Sequence, residues 1–346
     1  KYPAVKKPHS WLKNKYIEIS IFRMFRKKYF FMKKNIAVLM GGYSSEHEIS
    51  VQSGTTVFNH IDSNTYNAYK VIIKEKDWNL FTVDGTRYPI NKEKFNCIVN
   101  NEEINFDLVF IMIHGTPGED GIIQKYFNKL GIPYTGPSPE VALLTFNKKD
   151  CIEFARKNNV KTAKSILLNK NTNISFEKIE KELGFPLFVK ANNSGSSFGI
   201  SKVYNSKKLK IAIKKSFDFD EQVLIEQFLD GMEVSVGVMN YNDEVKVFGI
   251  TEIVTSNDFF DYEAKYEGIH EEITPARITK IQKEKVEKVA KDIYIKLNMN
   301  GFSRSDFIFI KDEPYLLEVN SIPGMTEHSI FPKQVKMNNI SLKKLF

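Results

Sequence analysis

The sequence has little cysteine, no long apolar run and no Walker A loop. Its 346 residues include two cysteines, Cys97 and Cys151, which are too few for a disulfide framework or a cysteine-based metal site. No apolar stretch reaches the roughly 20 residues of a membrane-spanning helix, and no signal peptide with a cleavage site is recognisable. These absences argue against disulfide-stapled and membrane-spanning proteins, and a reducing cytoplasm is the expected setting.

The net charge of +8 lies in one terminal segment. Residues 1–31 contain nine Lys or Arg residues and one Glu, which leaves 41 basic and 41 acidic residues in the rest of the chain. The rest is therefore neutral and carries no basic surface of the kind that binds nucleic acid. We predict neither a nucleic-acid partner nor a membrane partner.

The basic segment 1–31 has three interpretations. It could be a targeting segment, although it lacks the serine-rich composition of transit peptides. It could be a basic, aromatic segment that lies on a membrane surface. We favour a third interpretation, in which it precedes the true start at Met32 and lies outside the fold, because a strand-like run over 35–40 follows almost at once.

Strands and helices alternate in the first third of the remaining chain. Apolar runs over 35–40 and 108–113 predict buried strands. The second run ends in a Gly-rich loop at 114–121 that leads into a predicted helix over 122–130. This alternation predicts a parallel α/β domain whose functional groups lie at the carboxyl ends of the strands.

Two further domains are expected after a linker at 132–139 (IPYTGPSP). In the linker, Ser138 can cap a helix that has Pro139 at its first position. The fold class that we predict is α/β, with three domains. Its parts are a tail outside the fold (1–31), an N-terminal parallel α/β domain (32–131), a central α+β domain (132–230) and a C-terminal α+β domain with an antiparallel sheet (231–346).

One C-terminal β-hairpin carries polar residues on otherwise apolar strands. Alternation puts Arg304 and Asp306 on one face of the first strand, and Glu318 and Asn320 on one face of the second. Folding the hairpin about 311–314 pairs Asp306 with Glu318 and Arg304 with Asn320. Three oxygen ligands beside a guanidinium suit a hard cation such as Mg²⁺ carrying nucleotide phosphates, although a solvated polar face would have the same pattern.

A second candidate site follows the strand that ends at Lys190. The loop GSSFG at 195–199 offers backbone N–H groups and hydroxyls that can wrap phosphate oxygens. A lysine that closes an apolar strand needs an anionic partner, which a phosphate would supply. Glu226 and Glu233 bracket the next linker and could clamp a nucleoside. The sequence has neither a Walker A loop nor a dinucleotide fingerprint. A plain Gly/Ser loop and two solvated acids are therefore the alternatives.

Two polar residues follow strand ends in the N-terminal part. His114 could line a substrate, or it could be a satisfied loop histidine. Glu46 could hold a substrate ammonium through charge-assisted hydrogen bonds. It could equally be an acid favoured by the dipole of the helix that follows it.

Seven segments, in this order along the chain, closely resemble the D-alanine–D-alanine ligases of the ATP-grasp superfamily. They are IAVLMGGYSSEHEIS (36–50), HGTPGEDG (114–121), PYTG (133–136), FVKANNSGSSFG (188–199), VLIEQFLDGMEVSV (223–236), DYEAKY (261–266) and LLEVNSIPGMTEHS (316–329). The resemblance covers residue 32 to about residue 345. Lys190-Ala191 departs from it, because the family often has Lys-Pro there, and we expect the chain to stop short of the family's last helical turns.

This resemblance implies an ATP-grasp fold and ATP-dependent joining of two D-alanines through an acyl phosphate, for peptidoglycan precursors and hence cell wall and cell shape. It also implies two Mg²⁺ (or Mn²⁺) ions, a cytoplasmic location and a homodimer. One alternative is another ATP-grasp carboxylate–amine ligase, which would lack Glu46, His114 and Tyr266 in these settings. The other is a non-enzymatic nucleotide-binding module attached to a membrane by the tail.

The resemblance also implies a role for each site residue. ATP would contact Lys148, Lys190, Ser197, Glu226, Leu229 and Glu233. The metal ions would bind to Asp306, Glu318 and Asn320. Catalysis and closure of the site would involve Glu46, Ser196, Lys265, Tyr266, Arg304 and Gly324, and the two D-alanines would contact His114 and Ser329. Tyr266 further implies that the second substrate is D-alanine rather than D-lactate, because a neutral phenol has no bias toward a hydroxy acid.

Overall fold

The structure is a computed structural model that describes residues 33–172, 175–195, 199–255 and 270–346. The strands within these ranges are β1 (Lys34–Gly41), β2 (Tyr66–Ile73), β3 (Trp78–Phe81), β4 (Arg87–Asn91), β5 (Asn96–Val99), β6 (Glu102–Asn105), β7 (Leu108–Ile111), β8 (Ser165–Asn169), β9 (Leu187–Ala191), β10 (Ser201–Val203), β11 (Gln222–Gln227), β12 (Met232–Tyr241), β13 (Glu244–Thr255), β14 (His270–Ile273), β15 (Phe302–Ile310) and β16 (Glu313–Asn320). The helices are α1 (His47–His60), α2 (Ile122–Leu130), α3 (Pro139–Phe146), α4 (Lys148–Lys157), α5 (Phe176–Leu183), α6 (Ser206–Ser216), α7 (Lys280–Lys296), α8 (Ile330–Met337) and α9 (Leu342–Leu345). None of these helices is long and apolar enough to cross a membrane.

The N-terminal sheet is mixed rather than wholly parallel. Its strand order is β6-β5-β4-β3-β2-β1-β7. Strand β1 is parallel to both of its neighbours, β2 and β7, whereas the pairs from β2–β3 to β5–β6 are antiparallel. The prediction of a parallel domain holds for those three strands and is wrong for β3 to β6. The segment from β2 to β3 is only residues 74–77, and a connection of that length joins antiparallel strands because a parallel pair needs a crossover. The carboxyl ends of β1 and β7 nevertheless meet as expected, which brings 41–46 and 114–121 to one edge.

The central sheet is antiparallel, with the order β10-β9-β11-β8. The side chains of Leu187 and Val189 on β9 lie in a core with α5 and α6. Lys190 lies between buried neighbours and therefore points to the opposite face. The predicted strand that ends at Lys190 is present as β9, whereas β8, α5 and α6 were not predicted.

The C-terminal sheet is antiparallel, with the order β14-β13-β12-β15-β16. Helix α7 covers one face and buries Val286, Ala290 and Ile293 there. Helices α3 and α4 pack in the same core, through Cys151 and Ala155 among others. The opposite face carries the polar residues of the hairpin. Strand β14 was not predicted, and residues 256–269 lie outside the described residues.

A β-bulge sets the register of the hairpin formed by β15 and β16. Arg304 pairs with Asn320 and Asp306 with Glu318, as predicted, but the register shifts between Asp306 and Phe307. Beyond the shift Ile310 pairs with Glu313, so the turn is 311–312 and not 311–314. A two-residue turn without the bulge would put Glu318 on the apolar face, because a slip of one residue exchanges the faces.

Two facing glycines form the seat of α8 on the C-terminal sheet. Gly237 on β12 pairs with Gly249 on β13, and a Cβ atom at either position would meet the Gln334 side chain of α8. Gln334 is fully buried, and its Nε2 donates to the Ser235 carbonyl at 2.9 Å and to Thr251 Oγ1 at 3.0 Å. The seat fixes the start of α8, where Ser329 is the N-cap residue.

The predicted domain boundaries stay a prediction, since three sheets and three cores do not by themselves fix where one domain ends. The tail 1–31 lies outside the described residues, as do four of the predicted site residues, Ser196, Ser197, Lys265 and Tyr266.

Candidate active site

A cavity of about 900 Å³ opens over the polar face of the C-terminal sheet. All the predicted site residues within the described part of the chain line it. They are Glu46, His114, Lys148, Lys190, Glu226, Leu229, Glu233, Arg304, Asp306, Glu318, Asn320, Gly324 and Ser329. The three sheets thus contribute to one site, and the roles assigned to these residues stay predictions.

Three oxygen-bearing side chains of the hairpin lie together on the floor of the cavity. Asp306 and Glu318 are directly paired across the two strands, and Asn320 follows on the same face. The Asn320 Oδ1 atom accepts a hydrogen bond from the Ile322 N–H at 3.1 Å. Two carboxylates and an amide oxygen are the hard donors that Mg²⁺ or Mn²⁺ prefers, so these residues fit a divalent ion.

Basic and acidic side chains form ion pairs within the same cavity. Lys190 Nζ lies 2.6 Å from a Glu226 oxygen, and Arg304 Nη2 lies 2.9 Å from Asp306 Oδ2. Lys148 Nζ lies 3.6 Å from a Glu318 oxygen and donates to the Ser194 carbonyl at 2.6 Å.

Burial and neighbouring charge shift the pKa values of these groups. Burial alone would lower the pKa of Lys190, but the Glu226 carboxylate outweighs it and raises the pKa above its usual range. Asp306 does the same for the buried guanidinium of Arg304. The pKa of Glu233 rises to about 7, first through burial and then through the charges of Asp306 and Glu318. Lys190 and Arg304 are therefore charged at neutral pH, and the Glu233 carboxyl titrates near neutral pH.

Glu46 closes the cavity on the side of the N-terminal sheet. A Cβ atom at Gly195 would collide with its carboxylate, and one at Gly115 would lie 3.1 Å from its Oε2 atom. Glycine at both positions allows the two loops to approach the carboxylate closely. Glu46 is buried. It is the N-cap residue of α1, but its side chain makes no capping hydrogen bond to that helix.

Glu119 is a buried carboxyl that sequence reasoning did not single out. It lines the cavity, and its Oε2 atom accepts a hydrogen bond from the Gly115 N–H at 2.7 Å. Burial, followed by the charge of Glu46, raises its pKa to about 8. Its position in the motif HGTPGEDG was visible in the sequence, but the burial that makes it unusual was not.

His114 joins the N-terminal part to the loop after the hairpin. Its Nδ1 atom lies 3.0 Å from the Ile322 carbonyl, which can only accept, so Nδ1 carries the proton. Nε2 then accepts from the Ser53 hydroxyl at 3.1 Å, and Ser53 Oγ accepts from the Met325 N–H at 3.2 Å. The histidine, which sequence reasoning gave a substrate role, thereby also holds the loop that contains Gly324. Ser53 was not predicted, because only the fold brings α1 to this loop.

The start of α8 forms the remaining wall. The Ser329 hydroxyl lies 2.7 Å from Thr326 Oγ1, and a Cβ atom at Gly324 would lie 2.9 Å from the same hydroxyl. One turn further along, Lys333 forms an ion pair with Glu272 of β14 at 2.8 Å. Glu272 also lines the cavity and was not predicted, because no motif in the sequence marks its segment.

Two family models match most of the chain. Residues 35–137 match the family "D-ala D-ala ligase N-terminus", and residues 155–346 match "D-ala D-ala ligase C-terminus". The chain belongs to the D-alanine–D-alanine ligase family.

Relatives in this family are similar over most of their length. The D-alanine–D-alanine ligase of Flavobacterium johnsoniae is 50% identical over 313 residues, which are 90% of this chain and 97% of the relative. The ligase of Christiangramia forsetii is 47% identical, over 91% of this chain and 97% of the relative.

Solved structures from the D-alanine–D-alanine ligase family share the fold. The VanG D-Ala:D-Ser ligase from Enterococcus faecalis is 32% identical, with a TM-score of 0.81 and 91% and 97% coverage of this chain and that chain. A ligase from Bacillus anthracis complexed with ATP is 28% identical, with a TM-score of 0.73 and 90% and 94% coverage. The predicted ATP-grasp fold class is thereby confirmed.

Proposed function

We propose that the protein ligates two D-alanine molecules to D-alanyl-D-alanine, with ATP converted to ADP and phosphate, as a step toward peptidoglycan. The observation that carries this proposal is the set of ion pairs Lys190–Glu226, Arg304–Asp306 and Lys148–Glu318 in one cavity. A nucleotide phosphate with its metal ions carries both signs of charge, so each partner of a pair would exchange its neighbour for a counter-charge of the ligand.

The nucleotide would bind across the central and C-terminal sheets. Lys148 and Lys190 would contact its phosphates, with Ser197 on the covering loop, while Glu226, Glu233 and Leu229 would contact adenosine. Lys190 remains charged at neutral pH because the Glu226 carboxylate at 2.6 Å raises its pKa, and Lys148 lies 3.6 Å from a Glu318 oxygen. The bound ATP of the Bacillus anthracis relative supports a nucleotide in this cavity.

Asp306, Glu318 and Asn320 would hold two Mg²⁺ or Mn²⁺ ions. Within the described ranges no three His, Cys, Asp or Glu side chains form a metal site by themselves, and phosphate oxygens would supply the remaining ligands. When bound, the ions would neutralise charge on the transferring phosphoryl group.

The amino-acid substrates would occupy the part of the cavity near Glu46 and α8. Glu46 would accept hydrogen bonds from the ammonium of the first D-alanine, with His114 beside it. The γ-phosphoryl group of ATP would pass to the carboxylate of the first D-alanine, with ADP as the leaving group. The amine of the second D-alanine would then attack the acyl carbon and displace phosphate, and Arg304 and the Gly324 N–H would stabilise the oxyanion. Ser329 would bind the second carboxylate. Lys265 would help to steer the phosphoryl transfer. Ser196 and Tyr266, together with Glu46, would close the site and exclude water, which an acyl phosphate requires.

The setting follows from the same proposal. We assign the protein to the cytoplasm, which the buried, free thiols of Cys97 and Cys151 support. We also assign it a homodimeric state, which rests on the resemblance to the family alone.

The test is product formation by the purified protein. Incubation with ATP, Mg²⁺ and D-alanine should release phosphate and yield D-alanyl-D-alanine by mass spectrometry, whereas L-alanine or no amino acid should yield neither. ATP hydrolysis without dipeptide would contradict the proposal.

D-serine is the second candidate for the attacking amino acid, because the D-Ala:D-Ser ligase of Enterococcus faecalis is 32% identical. A competition among D-alanine, D-serine and D-lactate across pH 6–9 separates the cases. We expect the D-alanine dipeptide to dominate. A dominant D-serine product, or depsipeptide near pH 7, would overturn the assignment of the second substrate.

A further inference from the structure

Ser235 donates a hydrogen bond to a carboxylate on the cavity floor. Its side chain is 1% exposed, and Oγ lies 2.5 Å from Asp306 Oδ1. An ionised carboxylate only accepts, so the hydroxyl proton of Ser235 points at Asp306. The bond is charge-assisted and lies in a buried setting, where such bonds are strong.

Ser235 is itself held in place from several directions. It lies on β12, in the middle of the C-terminal sheet, opposite Thr251 on one neighbouring strand and Asp306 on the other. Its carbonyl accepts the hydrogen bond from Gln334 Nε2 at 2.9 Å. The hydroxyl is therefore a fixed donor and not a mobile one.

The described hydrogen bonds to the Asp306 side chain come from two residues, Ser235 and Arg304. Arg304 donates from Nε to both carboxylate oxygens, at 3.1 and 3.3 Å, and from Nη2 to Oδ2 at 2.9 Å. Under the proposed function, Arg304 also stabilises an oxyanion during the reaction. The described hydrogen bond of the Ser235 hydroxyl, by contrast, goes to Asp306.

We propose that Ser235 is a positioning residue, which orients the Asp306 carboxylate for a divalent metal ion by holding Oδ1. The inference rests on the proposed function for the role of the metal, but it concerns the affinity for the metal and not the identity of the product. Loss of a hydrogen bond to a metal ligand typically weakens metal affinity by about 10- to 100-fold.

The experiment compares Ser235→Val with Ser235→Thr. The two side chains have nearly the same size and shape, so both add the same bulk at the site, and only threonine keeps the hydroxyl. Ser303→Ala is the matched control, because Ser303 is also 1% exposed in this sheet, but its hydroxyl donates to the Val238 carbonyl.

The first readout is Mn²⁺ binding to the enzyme–ADP complex, followed by electron paramagnetic resonance, and the second is the Mg²⁺ concentration that half-saturates turnover. We expect the Mn²⁺ dissociation constant of Ser235→Val to exceed that of Ser235→Thr by about 10- to 100-fold, with Ser303→Ala close to wild type. Equal Mn²⁺ affinity in the two Ser235 variants would overturn the inference. If the wild-type protein binds Mn²⁺ but forms no dipeptide, the proposed function is contradicted. The comparison of Mn²⁺ affinity between the two Ser235 variants then still tests the role of Ser235.

Discussion

The free energy of unfolding of Glu119→Gln, relative to that of the wild type, should rise with pH. Glu119 is buried in the cavity near Glu46, and its pKa is raised to about 8 from 4.5. The folded state therefore binds a proton between pH 4.5 and 8 that the unfolded state has released. The stability that this proton provides is fully present below pH 4.5 and is lost as the pH rises through 8.

The magnitude follows from proton linkage. Over the window in which only the folded state is protonated, the free energy of unfolding falls by about 1.4 kcal/mol per pH unit. Glutamine keeps a neutral side chain that can accept the Gly115 N–H bond, and it does not titrate. Between pH 5.5 and 7.5 the stability of Glu119→Gln relative to wild type should thus rise by about 3 kcal/mol, which corresponds to roughly 4 °C in Tm for a chain of this length.

The assay is thermal unfolding of the nucleotide-free protein at a series of pH values. Glu284→Gln is the control, because Glu284 is an exposed acid of α7 whose side chain is 64% exposed, and its pH profile should run parallel to wild type. If the difference in Tm between Glu119→Gln and wild type is constant across this range, the carboxyl does not titrate as the structure indicates.

Three further variants test the floor and the wall of the site. Glu318→Gln and Asp306→Asn should lower Mg²⁺-dependent turnover by about 100-fold or more while the chain still folds. Glu313→Gln on the same hairpin, whose carboxylate pairs with Lys161 and Lys285, should retain activity, and near-normal turnover in both site variants would refute the metal assignment. Gly237→Ala should destabilise the protein by about 1–3 kcal/mol through overpacking against Gln334 and raise the KM for D-alanine by displacing α8. An unchanged Tm and KM would show that a Cβ atom at residue 237 fits beside Gln334, and would contradict this prediction.

The sequence by itself predicted those elements whose capping, turn and alternation patterns lie within one short segment. The predicted helix over 122–130 is α2 to the residue, with Gly131 in the left-handed conformation at its C-terminal end. The pairing of Asp306 with Glu318 could be predicted because the alternation of polar and apolar residues on two adjacent strands, with a turn close by, restricts the register. Both predictions needed only residues that are close together in the sequence.

The tertiary structure decided what depends on partners far apart in the chain. The bulge in β16 was hidden, since the local alternation does not say which strand carries an extra residue. The seat of α8 joins Gly237 and Gly249 to Gln334, about 90 residues further on.

The raised pKa of Glu119 and the fixed hydroxyl of Ser235 also belong to the tertiary structure. A side chain acquires its burial and its neighbouring charges only when distant segments pack around it. A sequence pattern can therefore indicate that Asp306 belongs to the site, whereas the residue that holds Asp306 in place is recognisable only in the folded protein.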